Sequence, residues 1–564
     1  MWNISNCALL SNPVVFDLVG TTQIKLPQDP PSSVTLIFAF TPAKNRGRQY
    51  GHLPRQHSTV RQHAQRQCYI KRLPFELLAQ IFKLNLSVSN DQEFPRTPLE
   101  AWEIERSLWS VSHTCRSWRN TIISIPALWN AIDVFGGKSR DRSQAVRIQS
   151  HLKYSQTLPL DVAMHAITPE DLARFGALLA QTGRWRSLFL VAKRPENTTK
   201  ILTMLTNFSA PFLRTLIIDC CQLDNPTKLG LGDYQERCAV ARGVCPLTKN
   251  GTKPLQLQTL SVSGAQLDWR RPAFRGITHL KLTRAFDLYF NPKLNDMLDF
   301  IAASPDLKTL ELECTLTCLE ISFEDPRRAP PIELKKLEHL TLSAYSEDDV
   351  TEVMSNLHMP NLCMLTVTLA DGDFLPLLQE MKKPYRSTGR SLLASLKGLN
   401  IVDWDCEDGN ASGRALYEEL QKVRVLAVGH QFGTPGKGWM EDVIALTDTY
   451  RHSAPGTFPQ ILPRWTMAVI WDANISKLAP LVAARIAAGF PLRKLFVQTK
   501  HELPASHVDW LVRHVDVFGT IDTVGGYSRD LPDLMKIDDA PAGSFALETL
   551  CEDAGFEILE VDQD

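Results

Sequence analysis

The chain lacks any C-x-x-C pair, although it holds twelve cysteines, at positions 7, 68, 115, 220, 221, 238, 245, 314, 318, 363, 406 and 551. A cysteine-built zinc site needs paired ligands at short spacing with histidine or further cysteine partners. Cys238/Cys245 and Cys314/Cys318 have neither. The density is also far below that of a disulfide scaffold. Cys115, Cys220, Cys314 and Cys363 lie in or beside apolar runs, where a free thiol acts as a small core residue. Net charge is missing too: 61 basic residues stand against 62 acidic ones, a formal charge of -1. That balance gives no global pull toward nucleic acid or an anionic membrane. No apolar run is long enough to span a bilayer. The nearest, Leu478 to Phe490, is interrupted by Arg485 and reads as a buried helix. The start, Met1-Trp2-Asn3-Ile4-Ser5-Asn6, has no basic residue ahead of its apolar part, as a secretory signal would. These absences point to an intracellular protein, cytoplasmic and/or nuclear.

Catalytic chemistry is absent from the sequence as well. Gly436-Lys437 has Gln431 where a phosphate loop needs its first glycine, and Gly438 where it needs the hydroxyl. His501-Glu502 with His507 misspaces the two histidines of a zinc-protease helix, and Pro504 would interrupt that helix. In Gly409 to Gly413 the serine comes one residue late for a nucleophile elbow. Cys115 near His113 reads as buried in a helical segment, not as an activated thiolate. The reading is therefore not an enzyme, with no cofactor and no metal.

What is present is a globular composition, 44% hydrophobic and 22% charged. A length of 564 residues exceeds one ordinary core unless the chain is a repeat array that grows by stacking. Residues 1–68 read as a basic, weakly structured leader. Between Pro30 and Phe75 there is no acidic residue, while Lys44, Arg46, Arg48, Arg55, Arg61, Arg66, Lys71 and Arg72 accumulate. Few apolar residues interleave after Phe40, so this stretch cannot bury enough surface to fold alone. Its charges are spaced, which favours a solvated tail over a nucleic-acid arm.

Residues 69–134 read as three short helices. Pro74 suits a first helical turn, where its missing N–H would go unbonded anyway. Leu77, Leu78, Ile81 and Phe82 come next at helical spacing. A second segment carries Trp102, Leu108, Val111, Cys115 and Trp118; a third holds Ile122, Ile123 and Ile125 before Pro126 stops it. So small a core commonly completes its burial against a partner. The pieces Leu73-Pro74-Phe75-Glu76-Leu77-Leu78-Ala79-Gln80-Ile81-Phe82, Thr114-Cys115-Arg116-Ser117-Trp118-Arg119 and Pro126-Ala127-Leu128-Trp129 stand in the order of the F-box, which this module resembles. The stretch Ser155 to Val162 is similar to the segment after the F-box in the large fungal group of such proteins. The chain departs from the compact module in a longer polar stretch, Ser87 to Pro98. The resemblance implies binding to a Skp-type adaptor through Leu73, Pro74, Glu76, Leu77, Ile81, Cys115 and Trp118. The adaptor in turn bridges to a cullin. Leu128 and Trp129 are expected to anchor the module to the repeats C-terminal to it.

Residues 135–510 carry an internal repeat, apolar-x-x-apolar-x-apolar. It runs from Trp185-Leu188-Leu190 through Leu213-Leu216-Ile218, Leu257-Leu260-Val262, Ile277-Leu280-Leu282, Leu307-Leu310-Leu312 and Leu337-Leu340-Leu342. It continues as Leu362-Leu365-Val367, Leu396-Leu399-Ile401, Val423-Leu426-Val428 and Leu492-Leu495-Val497. The copy from Leu213 to Leu223 fits the leucine-rich pattern completely. Apolar residues at the fourth and sixth positions make a short strand facing a core, and the first packs from the preceding turn. Helical stretches at 295–303, 348–357 and 413–422 would cover the other side. The steps are irregular, so the expectation is a degenerate leucine-rich-repeat α/β solenoid with parallel strands. A further unit is expected near Trp465 to Ile470. Residues 511–564 read as an acidic C-terminal cap or tail; its last part, from Arg529, carries eleven acidic residues against Arg529 and Lys536. The resulting functional expectation is a substrate-recruiting subunit of a cullin-type ubiquitin ligase whose repeats bind an unknown target protein. The alternative is a plain interaction scaffold.

Overall fold

The structure, a computed structural model, describes residues 73–86, 98–136, 141–192, 195–219, 246–247, 255–263, 265, 267, 269, 274–283, 294–313, 331–345, 347–369, 374–385, 388–402, 410–429, 439–454, 460–471, 473–498, 503–521, 531–540, 551 and 556–558. Apart from Leu73 these belong to the unit Pro74–Asp564. The expected basic leader and the Ser87 to Arg96 stretch lie outside the described residues, as do the Cys238/Cys245 and Cys314/Cys318 pairs.

Three helices open the unit: α1 (Phe75–Leu86), α2 (Pro98–Thr114) and α3 (Arg116–Ile123). Pro74 sits just before α1 and its carbonyl accepts from the Leu78 N–H at 3.1 Å. Leu78 and Phe82 of α1 are buried, four residues apart on one stripe. The sequence pattern predicts a single segment through Cys115 to Trp118, and here the structure differs. Cys115 is extended, ends α2 and caps α3, its Sγ accepting from the Trp118 N–H at 3.5 Å. A side-chain acceptor at this position satisfies one otherwise unbonded donor of the new helix. Ile122 stays in α3, and Ile125 leads into a 3-10 turn, Pro126–Leu128.

From there the chain builds one long sheet. In chain order its strands are β1 (Ala131–Phe135), β2 (Leu160–Ile167), β3 (Trp185–Ala192), β4 (Thr215–Asp219) and β5 (Thr259–Ser263). Next come β6 (His279–Thr283), β7 (Thr309–Glu313), β8 (His339–Tyr345), β9 (Met364–Leu369) and β10 (Gly398–Val402). The last are β11 (Val425–Gly429), β12 (Met467–Ile470), β13 (Lys494–Val497), β14 (Val517–Ile521) and β15 (Phe556–Ile558). Each strand pairs with its predecessor and successor in sequence; all pairs are parallel except β14 with β15. That sequential parallel order distinguishes a repeat stack from a doubly wound sheet, in which strand order reverses at a switch point.

The fourth repeat position forms one continuous ladder. Leu188, Leu216, Leu260, Leu280, Leu310, Leu340, Leu365, Leu399 and Leu426 are paired in register from strand to strand. The sixth position makes a parallel row from Leu190 to Val428, and both rows lie in the main core. Burying each such leucine stabilises by about 1.5–3 kcal/mol. Helices α4 (Asp141–Tyr154), α5 (Pro169–Arg174), α6 (Gly176–Leu179), α7 (Pro195–Leu205), α8 (Leu294–Ala302) and α9 (Glu347–Asn356) lie between strands. So do α10 (Leu375–Lys382), α11 (Asn410–Glu419), α12 (Trp439–His452), α13 (Ile475–Ala487) and α14 (Ala505–Val512). Apolar residues from α4 to α14, among them Leu298, Leu377 and Leu481, complete the same core.

The expected extra unit is present as β12, delivered by a turn that Arg485 of α13 holds. This fully buried guanidinium donates to the carbonyls of Ile461 and Leu462, both at 2.8 Å, and lies over the Trp465 ring. The sheet reaches further than residues 135–510. Trp129-x-x-Ile132-x-Val134 supplies β1 on one side, and Val515-x-x-Phe518 leads β14 on the other. The acidic terminus is not a loose tail over its described part. It contributes helix α15 (Leu531–Asp539), with Leu531, Leu534, Met535 and Ile537 buried, and the edge strand β15.

Candidate functional site: a helical docking end and a polar sheet face

Two surfaces stand out. The first is the outer side of α1. Leu77, Ile81 and Leu84 recur at i, i+4 and i+7, so they share one stripe beside the buried Leu78 and Phe82. Leu77 is 40% exposed, Leu84 68% and neighbouring Phe75 51%; most other large apolar side chains among the described residues are covered. Pro74 and Glu76 are exposed, and Leu73 and Ile81 are half-buried. Trp118 of α3, also half-buried, meets Phe82 edge-to-face at 5.2 Å between ring centroids. Packing of α1 on α3 thus brings together residues that lie more than thirty positions apart in the chain. Cys115 has a local task as the α3 cap, which its surroundings in sequence do not reveal.

Leu128 and Trp129 sit behind this surface, at the passage into the sheet. Both are buried. The Trp129 ring is 5.6 Å from Trp109 of α2, 5.2 Å from His151 and 4.8 Å from Tyr154, the last two on α4. Its Nε1–H donates to the Ile122 carbonyl at 2.9 Å. Beside it, Glu105 of α2 pairs with Arg147 of α4 and accepts from the Trp109 Nε1–H at 3.2 Å. This carboxylate, which no sequence pattern singles out, joins the helical module to the first repeat helix.

Burial raises the Glu105 carboxyl, with Arg147 opposing, and pushes the His151 imidazole down to about 4. His151 is therefore neutral near pH 7, and its 4.0 Å approach to Glu105 is not an ion pair. Its Nδ1 lies 3.2 Å from the Trp129 carbonyl, the position of an N–H donor. Below about 6.5 the unfolded histidine binds a proton that the folded one refuses, so stability present above 6.5 is lost as pH falls toward 4. The loss is about 1.4 kcal/mol per pH unit across that window. Glu105 acts the other way, because its raised pKa lets the folded state protonate first, and it offsets part of the loss. Urea melts are expected to show a midpoint falling from pH 6.5 to 4.5, and His151→Gln should flatten that slope. An equal slope in both proteins would rule out this histidine.

The second surface is the sheet face turned away from the helices. On β5 to β8 it is polar. Thr259, His279, Thr309 and His339 form one row, and Ser261, Lys281, Glu311 and Thr341 a second; the rows run into Ile217 of β4 on one side and Met364 of β9 on the other. These strands largely alternate buried with half-exposed or exposed positions, the mark of a sheet covered on one side only. The His279 Nδ1 lies 3.0 Å from the Thr309 hydroxyl, and Lys281 pairs with Glu311 at 2.5 Å. Burial lowers the pKa of His339, partly opposed by Glu338. Such a face offers donors and acceptors at strand spacing to an extended partner. Among the described residues no three His, Cys, Asp or Glu side chains gather to hold a metal ion, and no helix is long and apolar enough to cross a membrane.

The chain matches no family model and no curated protein. Among solved structures it is similar to the leucine-rich repeat-containing protein LegL7 from Legionella pneumophila, with 12% identity over 64% of this chain and 94% of that one, at a TM-score of 0.29. The repeat architecture rests on the chain's own strand order and register, not on that likeness.

Proposed function

We propose that this chain is the substrate-recruiting subunit of a cullin-type ubiquitin ligase. Residues 69–134 are the adaptor-binding module, and the repeats hold the target protein on the polar sheet face. The observation that supports the reading is the apolar stripe of α1, where exposed Leu77 and half-buried Ile81, two of the residues that the resemblance implies for a Skp-type adaptor, line up with exposed Leu84. An apolar helix edge left uncovered at the end of a stack is the kind of surface a partner buries, and a few central side chains dominate such contacts. Any catalysis belongs to the partner enzyme, and this chain contributes proximity. The protein works inside the cell, in the cytoplasm and/or nucleus.

Leu77→Ala with Ile81→Ala tests this. A central interface anchor is worth about 2 kcal/mol or more, so adaptor capture should fall at least about tenfold. Unchanged capture, with unchanged circular dichroism, would remove the adaptor from the picture. Co-purification from cells then separates the classes: adaptor with cullin supports the ligase reading, and neither leaves a plain interaction scaffold.

A further inference from the structure

The second position of each repeat lies just before its strand, and there the backbone makes a ladder of its own. The Arg214 N–H donates to the Arg186 carbonyl at 2.8 Å, Gln258 to Arg214 at 2.7 Å, Thr278 to Gln258 at 2.8 Å and Lys308 to Thr278 at 2.7 Å. The ladder runs on through Glu338, Cys363, Lys397, Arg424 and Thr466 to Arg493. This rim carries mostly one sign of charge: Arg186, Arg214, Lys308, Lys397, Arg424 and Arg493 stand on it against Glu338. The far ends of the strands carry acids instead, Asp219 on β4 and Glu313 on β7.

Helix dipoles do not account for the rim. They would draw cations into the last helical turns, and α7, α8, α9 and α11 have no basic residue there. Inside the chain, rim cations hold carboxylates: Arg186 pairs with Asp161, and Arg424 with Asp538 and, at 2.6 Å, with Asp539. Arg214 and Lys308 are exposed and form no ion pair among the described residues. Two residues before Arg214, on the turn into β4, Phe212 is 67% exposed. Aromatic side chains and arginine are the residues that protein interfaces concentrate at their centres.

We propose that the rim of β4 to β7 binds an extended acidic segment of the target protein, with Arg214 and Lys308 taking carboxylates and Phe212 an apolar side chain. The inference rests on reading the polar face of β5 to β8 as the target surface, and it names the target's chemistry. Gln258, Thr278, Lys308 and Glu338 each directly precede a residue of the first polar row, so rim and face are one continuous surface. Three strand spacings separate Arg214 from Lys308, about 14 Å. An extended chain covers that distance in about four residues and turns i and i+4 to the same side. The matching pattern is therefore acidic at i and i+4 with an apolar neighbour. Single-stranded RNA fits less well, because the ladder holds no aromatic residue on which successive bases would stack.

The test uses the full chain and a short fluorescent peptide with glutamates at i and i+4, a neighbouring leucine and serines elsewhere, its binding followed by anisotropy. Arg214→Glu with Lys308→Glu should weaken binding at least about tenfold, since both contacts turn from attraction to repulsion. Phe212→Ser should weaken it as well. Lys153→Glu with Lys200→Glu, the same change of charge on α4 and α7, should leave it unaltered. All of these side chains are exposed, and circular dichroism checks that each variant keeps its fold. Equal binding by the rim variant and the unaltered chain would overturn the proposal. So would tighter binding of a uridine oligomer of the same charge, which would make the rim a nucleic-acid contact. The assay contains no adaptor, so a failure of adaptor capture leaves its outcome untouched.

Discussion

Leu310→Ala is expected to destabilise the protein by about 2–5 kcal/mol, the usual cost of a leucine-sized cavity in a well-packed core. Leu310 is fully buried, and in register it lies between Leu280 of β6 and Leu340 of β8. Its removal takes contacts from both neighbours at once. In a stack each unit is held chiefly by the units beside it, so the damage should travel. Hydrogen exchange is expected to quicken in β6 and β8 as well as in β7, and in the adjoining α8, which shares this core. Any adaptor capture by the α1 face should be unchanged, because α1 stands beyond β1, six strands away from β7. Faster exchange confined to β7 would argue against a continuous stack.

The leucine ladder behind that expectation is written directly in the sequence. Leu-x-x-Leu-x-Leu fixes which residue faces the core and which begins the turn, and the register pairs the fourth positions from Leu188 to Leu426. The open and covered halves of the other face are equally present in the letters. Thr259-Leu260-Ser261-Val262-Ser263 alternates, whereas Val425-Leu426-Ala427-Val428 and Met467-Ala468-Val469-Ile470 are apolar throughout, as strands buried on both faces are. The uniform runs demand a second cover, and composition hides the obvious candidate. The acidic residues of the terminus suggest a solvated tail, yet Leu531, Leu534, Met535 and Ile537 already stand at helical spacing. Charge count alone hides that apolar spacing.

Other features have no signal of that kind. The break at Cys115 depends on a thiol accepting one backbone hydrogen bond, and the flanking helical patterns join smoothly across it. The Glu105–Arg147 link pairs positions forty-two residues apart and needs the fold to bring them together. Strand β1 escapes the repeat pattern because its first position is Trp129, which the F-box-like pattern already claims. One residue serves both the helical module and the first repeat.

That double use makes Trp129→Ala the most consequential single change in the helical end. The ring is 1% exposed and sits among Trp109, His151 and Tyr154. Truncating a buried tryptophan costs about 3–5 kcal/mol through lost burial and the cavity left behind. The Ile122 carbonyl keeps the Ile125 N–H at 3.1 Å and loses only its second donor, so the missing hydrogen bond adds about 0.5–1.5 kcal/mol. Trp129→Phe separates the two contributions, since it keeps most ring contacts and loses only the Nε1–H. It should cost about 1–2 kcal/mol, close to the value of one buried hydrogen bond with a small void. Because the ring joins α2 to α4, the alanine variant should quicken exchange in α2, α3 and β1 together. It should also blunt the acid sensitivity set by His151, whose burial depends on that ring. Paired urea melts of the two variants at pH 7 and pH 5 would measure both effects. A loss under about 1 kcal/mol for Trp129→Ala, well below the range for a buried aromatic, would mean that the helical module and the repeats hold together without it.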